Sequence, residues 1–171
     1  MSGVPDQLLT TVWLSALAPA MLLLPQQMST ARAWHMLLAA GLQETQLKAR
    51  VQVLDGGGRG AARGLLQFER GGGVRGVLTH PQTKAPAASV CAARGVQPIA
   101  QDVWERMEFD DVLCFAFGRL LLWADPLPLP GPDDVEAAWD LYANRTWNPG
   151  KPHRQAWGPN HARARRFVYG E

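Results

Sequence analysis

Cysteine is nearly absent from this chain of 171 residues, Cys91 and Cys114 being the whole complement. Two thiols without a CxxC spacing build neither a disulfide scaffold nor a zinc knot, so both read as buried apolar side chains of a reducing compartment. The four histidines, His35, His80, His153 and His161, lack the short spacings of a metal site, and neither metal nor cofactor is expected. No GK[ST] and no GxSxG occur, which sets aside P-loop and serine-hydrolase chemistry. Gly71-Gly-Gly73-Val-Arg-Gly76 matches GxGxxG formally, but no acid follows about 20 positions on and no βαβ pattern surrounds it. It reads as a flexible turn.

Long apolar runs are also scarce. Leu8 to Leu24 is uncharged, yet Pro19 interrupts it, and Asp6 precedes it where a signal peptide would carry Lys or Arg. At 17 residues it is marginal for a membrane span, so it reads as two buried core helices meeting near Pro19. Without a signal peptide the chain is made in the cytoplasm, and action outside it needs another export route.

What the chain does have is apolar content, 47% against 19% charged residues, far from a disordered composition. The length suits one domain over residues 1–171. The net charge of +2 conceals segregation: residues 48–94 carry eight cations against Asp55 and Glu69, residues 102–140 carry ten acids against Arg106 and Arg119, and Arg145 to Arg166 holds six cations. A basic surface attracts polyanions, although a solvated, unevenly charged surface is the plainer reading.

The periodicity is mostly helical. Ser29 or Thr30 caps an apolar helix through Trp34, Leu37 and Ala40, with Gly41 placed to end it in a left-handed conformation. Val51 and Val53 alternate with Gln52 into Asp55-Gly56, and Leu65 to Phe68 is the expected return strand of a small hairpin. Pro86 and Pro98 sit at helix starts, Asp110 or Asp111 caps an apolar helix through Val112, Phe115 and Trp123, and Pro126 to Pro132 is an extended surface crossing. Helices over 133–144 and 160–168 complete an α+β fold that is mainly α.

Glu44 is the carboxylate with chemical promise. It stands in Gly41-Leu-Gln-Glu-Thr45 after the buried helix, where Leu38, Leu42 and Leu47 would raise its pKa and keep it protonated near neutrality, as a general acid for glycosidic cleavage requires. Some twenty residues on comes Ala62-Arg-Gly-Leu-Leu-Gln-Phe-Glu69, and later Tyr142-Ala-Asn-Arg-Thr-Trp-Asn-Pro-Gly150 followed by Trp157. Together these segments resemble the lysozyme-like superfamily, in particular bacterial and phage lytic transglycosylases, whose helix ends in Glu-Ser, followed by Gly-Leu-Met-Gln and Ala-Tyr-Asn-Ala-Gly-Pro-Gly...Trp. Ala-Arg-Gly-x-x-Gln is also similar to the Gly-Arg-Gly-x-x-Gln of chitinase-type relatives. Thr45 and Leu66 depart from the usual Ser and Met, and Arg145-Thr-Trp alters the spacing of the last segment.

The resemblance implies a lysozyme-like helical domain with a small hairpin, Glu44 as acid/base, and Gln67, Tyr142 and Asn148 lining the sugar cleft. Gln67 alternatively satisfies backbone groups of the hairpin. A hydrolase needs a second carboxylate, for which Asp55 and Glu69 are the candidates; a transglycosylase needs one Glu, because the sugar's own 6-hydroxyl attacks. Trp34, Trp104, Trp123 and Trp139 read as core, and Trp147 and Trp157, in a Pro/Gly-rich stretch, as cleft residues that stack on sugars. The implied substrate is the peptidoglycan glycan strand and the implied setting a tailed-phage virion, with other tail proteins as partners, cell-wall degradation as the role, and no membrane span. The alternative is a non-catalytic tail or baseplate protein with a degenerate fold of this kind. Nucleic-acid binding through the Arg-rich tail is not expected, since it leaves Glu44 and Gln67 unexplained.

Overall fold

The computed structural model describes residues 5–170. It is mainly helical with one small antiparallel sheet, an α+β arrangement. The helices are α1 (Gln7–Val12), α2 (Ala18–Leu22), α3 (Ala31–Thr45), α4 (Arg75–Thr79), α5 (Lys84–Ala93), α6 (Ala100–Met107), α7 (Asp111–Ala124), α8 (Val135–Asp140) and α9 (Arg154–Tyr169); the strands are β1 (Val51–Val53), β2 (Arg59–Arg63) and β3 (Phe68–Glu69).

α7 is the spine. Asp110 caps it by accepting from the Leu113 amide (3.0 Å), and most of its residues from Leu113 to Leu122 are buried. An apolar residue on nearly every face demands partners on nearly every side, so α2, α3, α4, α5 and α6 all pack on it, and the buried side chains form one continuous cluster. α3 is the second central helix. Thr30 caps it (Oγ1 to Ala33 N, 3.2 Å), and its broad contact with α9 forms the other half of the core.

Four expectations need correction. The Leu8 to Leu24 stretch is not two separate helices meeting near Pro19: a wide π-type turn at Trp13–Leu17 joins α1 to α2 continuously, with the Ala18 amide bonded to the Trp13 carbonyl. Pro19 follows this wide turn directly, in a chain already helical at Leu17 and Ala18.

Gly41 does not end α3. The helix continues to Thr45, and Gln46 takes the left-handed position with φ 53°. Gly41 is glycine because a Cβ there would lie 2.3 Å from Leu47 Cδ2, the chain folding back onto the helix immediately after it ends.

The return strand of the hairpin is β2. Val51 pairs with Arg63 and Val53 with Arg59, and Phe68–Glu69 is instead a third strand against Ala62 and Arg63. The Gly71 to Gly76 stretch is not a free turn but the kinked start of a helical segment: Gly72, with φ −99° and ψ −107°, bends the chain between Arg70 and Val74, which leads directly into α4.

The charge blocks of the sequence are partly interleaved in space. Arg50 pairs with Asp111 (2.7 Å), Arg94 with Asp110 (2.9 Å), and Arg59 and Arg63 both with Glu108. Arg145 pairs with Asp125 (3.1 Å), Arg154 with Glu136 and Arg165 with Asp133 (2.9 Å). Folding lays both basic blocks against the acidic middle.

Cys91 and Cys114 are free and buried; burial pushes the Cys91 thiol up to about 11, and burial first, with the charges of Asp111 and Asp110 adding to it against backbone hydrogen bonds, pushes Cys114 up to about 12. Among the described residues no helix is long and apolar enough to cross a membrane.

Candidate active site

Glu44 occupies the last turn of α3, and three segments close around it. The turn after the helix is sewn to the β2–β3 connection by Thr45, whose hydroxyl donates to the Leu65 carbonyl (2.8 Å) and accepts from the Leu47 amide (3.1 Å). Next to it, Leu66 offers its carbonyl to the Trp147 indole N–H (2.8 Å), which brings in the segment after α8. A second wide turn, Leu141–Thr146, carries Tyr142 inward, where it is 2% exposed.

The Tyr142 hydroxyl donates to Glu44 Oε1 at 2.7 Å. Among the described residues it is the sole hydrogen-bond donor to this carboxyl. Among the described residues Oε2 has no hydrogen-bond partner, and it is not a fully buried atom. Burial dominates the proton affinity of Glu44 and raises it from 4.5 to about 7. The Tyr142 hydrogen bond works against that rise by stabilising the anion, and the negative charge of Glu69 adds to it. Tyr142 in turn is held well above the ordinary phenol range by its own burial and by Glu44, so it stays a donor at any working pH.

Aromatic packing fixes Tyr142. Trp157 stacks on it at 5.0 Å with an interplanar angle of 14°, Trp147 lies at 6.0 Å, and Trp139 packs at 5.6 Å. Trp157 is 0% exposed, and its indole donates to the Val135 carbonyl (3.2 Å). The expectation that Trp157 stacks on a ligand is therefore corrected: both faces are taken by core contacts, and its role is to hold Tyr142. Trp147 is partly exposed and keeps an edge at the surface.

Gln67 is partly exposed beside the Thr45 tie, and its side-chain amide donates to the Gly64 carbonyl (2.9 Å). Asn148 is exposed; in the orientation that satisfies its amide, it donates back to the Asn144 (2.8 Å) and Ala143 (3.1 Å) carbonyls. Of the two further carboxylates, Glu69 is exposed at the end of β3 and contributes to the field at Glu44. Asp55 is exposed in the β1–β2 turn and is not among the charges acting on Glu44. Among the described residues no group of three or more His, Cys, Asp or Glu side chains is placed to hold a metal ion.

Backbone strain gathers at the same place. Among the described residues the non-glycine positions with positive φ are Gln46 (53°), Leu47 (56°), Gln67 (52°) and Asn148 (45°). Each costs of order 1 kcal/mol against an ordinary backbone. All four lie in the segments that converge on Glu44. Nothing in the sequence marks them, since only Asn among these residue types favours the left-handed region. The tie from Trp147 to Leu66 is equally invisible before folding.

Two sizeable cavities lie elsewhere. One of about 720 Å³ is lined by Arg94, Arg106, Phe109 and their neighbours; the other, about 1300 Å³, lies between the start of α3, the end of α7 and the Pro126 to Pro132 crossing. No family model matches the chain, and no curated protein or solved structure shows significant similarity to it.

Proposed function

We propose that the protein cleaves the glycan strand of peptidoglycan, with Glu44 as general acid and then general base, in the manner of the lysozyme-like lytic transglycosylases its motifs resemble. The observation that carries this reading is the state of Glu44. Its pKa of about 7 leaves both protonation states populated at neutral pH, one oxygen is pinned by Tyr142, and the other has no hydrogen-bond partner among the described residues. That is the requirement for a group that must give a proton and take one back.

In the first half-reaction the Glu44 proton passes to the glycosidic oxygen as the C–O bond breaks, and positive charge develops on the sugar ring. The Glu44 carboxylate, its charge shared with the Tyr142 hydroxyl, then removes the proton of the 6-hydroxyl as that oxygen bonds to the anomeric carbon. The product is an anhydro sugar, and Glu44 ends protonated as it began. Glu69 sustains the raised proton affinity; Gln67 and Trp147 border the site on the sheet side. A virion tail is the setting this reading favours.

Incubation of the wild type and of Glu44→Gln with purified peptidoglycan, followed by mass analysis of the soluble products, tests the reading. Anhydro-muropeptides from the wild type alone are expected. Reducing-end products would reassign the chemistry to hydrolysis, and equal silence from both proteins would remove it.

A second reading, a non-catalytic tail or baseplate component, is favoured by one observation: the two cavities described above lie away from Glu44.

A further inference from the structure

α7 carries a single charged residue among its apolar ones after the first turn, and that residue is buried. Arg119 is 3% exposed. Its Nε donates to the Met28 carbonyl (2.6 Å), and its guanidinium lies over the Trp123 ring at 5.1 Å. Among the described residues no carboxylate pairs with it, and Nη1 has no hydrogen-bond partner of any kind. Burial without a counter-charge pulls its pKa down to about 10, so it remains a cation. A buried, unpaired guanidinium is expensive, and proteins rarely keep one without something to pair it.

Arg119 forms part of the wall of the 1300 Å³ cavity. The same wall holds a second orphan, the Tyr169 hydroxyl, which is buried and without a partner. The first turn of α3, a helix of 15 residues, also faces this space through Thr30, Ala31 and Arg32, adding the positive end of its dipole. The acid in the wall, Asp125, is already neutralised by Arg145 at 3.1 Å. Gln27, His80 and Gln82 add polar groups to one side, and an apolar side is made by Leu122, Trp123, Leu127 and the prolines of the crossing segment, which Arg32 pins by donating to the Leu129 carbonyl (3.3 Å).

We propose that this cavity is a binding site for a small carboxylate with an apolar body, of the size of an amino acid or short peptide. The carboxylate pairs with Arg119 and accepts from Tyr169, and the apolar part lies against Leu122, Trp123 and Leu127. A single buried cation matches a single carboxylate charge, and the apolar side selects against inorganic anions. The site is independent of Glu44 and of the reaction proposed for it.

The test is titration of the intact protein with N-acetyl-leucine, with N-acetyl-leucinamide and with inorganic phosphate, by calorimetry and by NMR of the Arg Nε–H and Trp indole N–H groups. N-acetyl-leucine is expected to shift the Arg119 and Trp123 signals and to bind about tenfold or more tightly than the amide, the factor that a charge-assisted hydrogen bond contributes. Arg119→Lys and Arg32→Gln should each weaken it severalfold. Because Arg119 also holds Met28, an Arg119 variant that fails to fold leaves the matched pair of probes on the wild type to decide. Equal binding of acid and amide, tighter binding of phosphate, or no response at millimolar N-acetyl-leucine overturns the proposal.

Discussion

Replacing Glu44 by Gln should stabilise the protein in alkaline buffer and leave it almost unchanged in acid. Glu44 binds its proton more tightly folded (about 7) than in an unfolded chain (4.5). Between those values the native state holds more protons than the unfolded one, so stability falls as pH rises through the window. Below about 4.5 both states are protonated and the carboxyl costs nothing; above about 7 the full penalty of a half-buried anion is present. A shift of that size is worth roughly 3 kcal/mol at 1.36 kcal/mol per unit. Gln keeps the carbonyl that accepts from Tyr142 and carries no charge, so it removes the penalty and little else. For a chain of this length the gain is roughly 10 °C in Tm. Urea and thermal melts of both proteins at pH 4.5 and pH 9 measure it. A difference of the same size at both pH values would refute the reasoning, because it would place the effect in packing rather than in ionisation.

Other outcomes follow from the same geometry. Tyr142→Phe removes the bond that favours the anion, so the Glu44 pKa, followed by carboxyl NMR, should move further up, and any pH profile of cleavage should move with it. Glu69→Gln should move it down by removing a like charge, whereas Asp55→Asn should leave it in place. Trp157→Ala should cost about 3 to 5 kcal/mol in denaturant unfolding, the range for a fully buried aromatic, and should loosen Tyr142 as well. Gly41→Ala should cost about 1 to 3 kcal/mol by forcing Leu47 off the helix, against the usual gain of Gly→Ala in a helix interior.

Local signals were readable where a residue acts on its own neighbours. Thr30 and Asp110 cap helices because their side-chain oxygens reach amides three residues on, and Val51 and Val53 form a strand. The same spacing logic led to Glu44, whose raised proton affinity does come first from burial. Readings failed where a distant partner decides. Gly41 looked like a helix stop, but Leu47, returning from beyond the helix end, requires it inside. The basic and acidic blocks looked like separate surfaces, and only the fold brings Arg50 to Asp111 and Arg94 to Asp110. Trp157 looked exposed because Pro and Gly surround it, yet α9 continues past Pro159 and the ring is buried. Arg119 is marked in the sequence only as one of two cations among ten acids, and its burial beside a cavity is visible only in the fold.

The wide turn at Leu141–Thr146 has a consequence for how the molecule tolerates insertion and deletion. A π-type turn holds one residue more than the α-helix around it, so its ladder runs one step out of phase. Deleting Asn144 would restore ordinary helical pairing and rotate everything beyond it by about 100°. Trp147 would swing off Leu66 while Tyr142, before the deletion, kept its place under Glu44. The proton partner of the site and its tie to the sheet therefore sit on opposite sides of a single removable residue, and the length of this segment is as much a part of the site as its side chains.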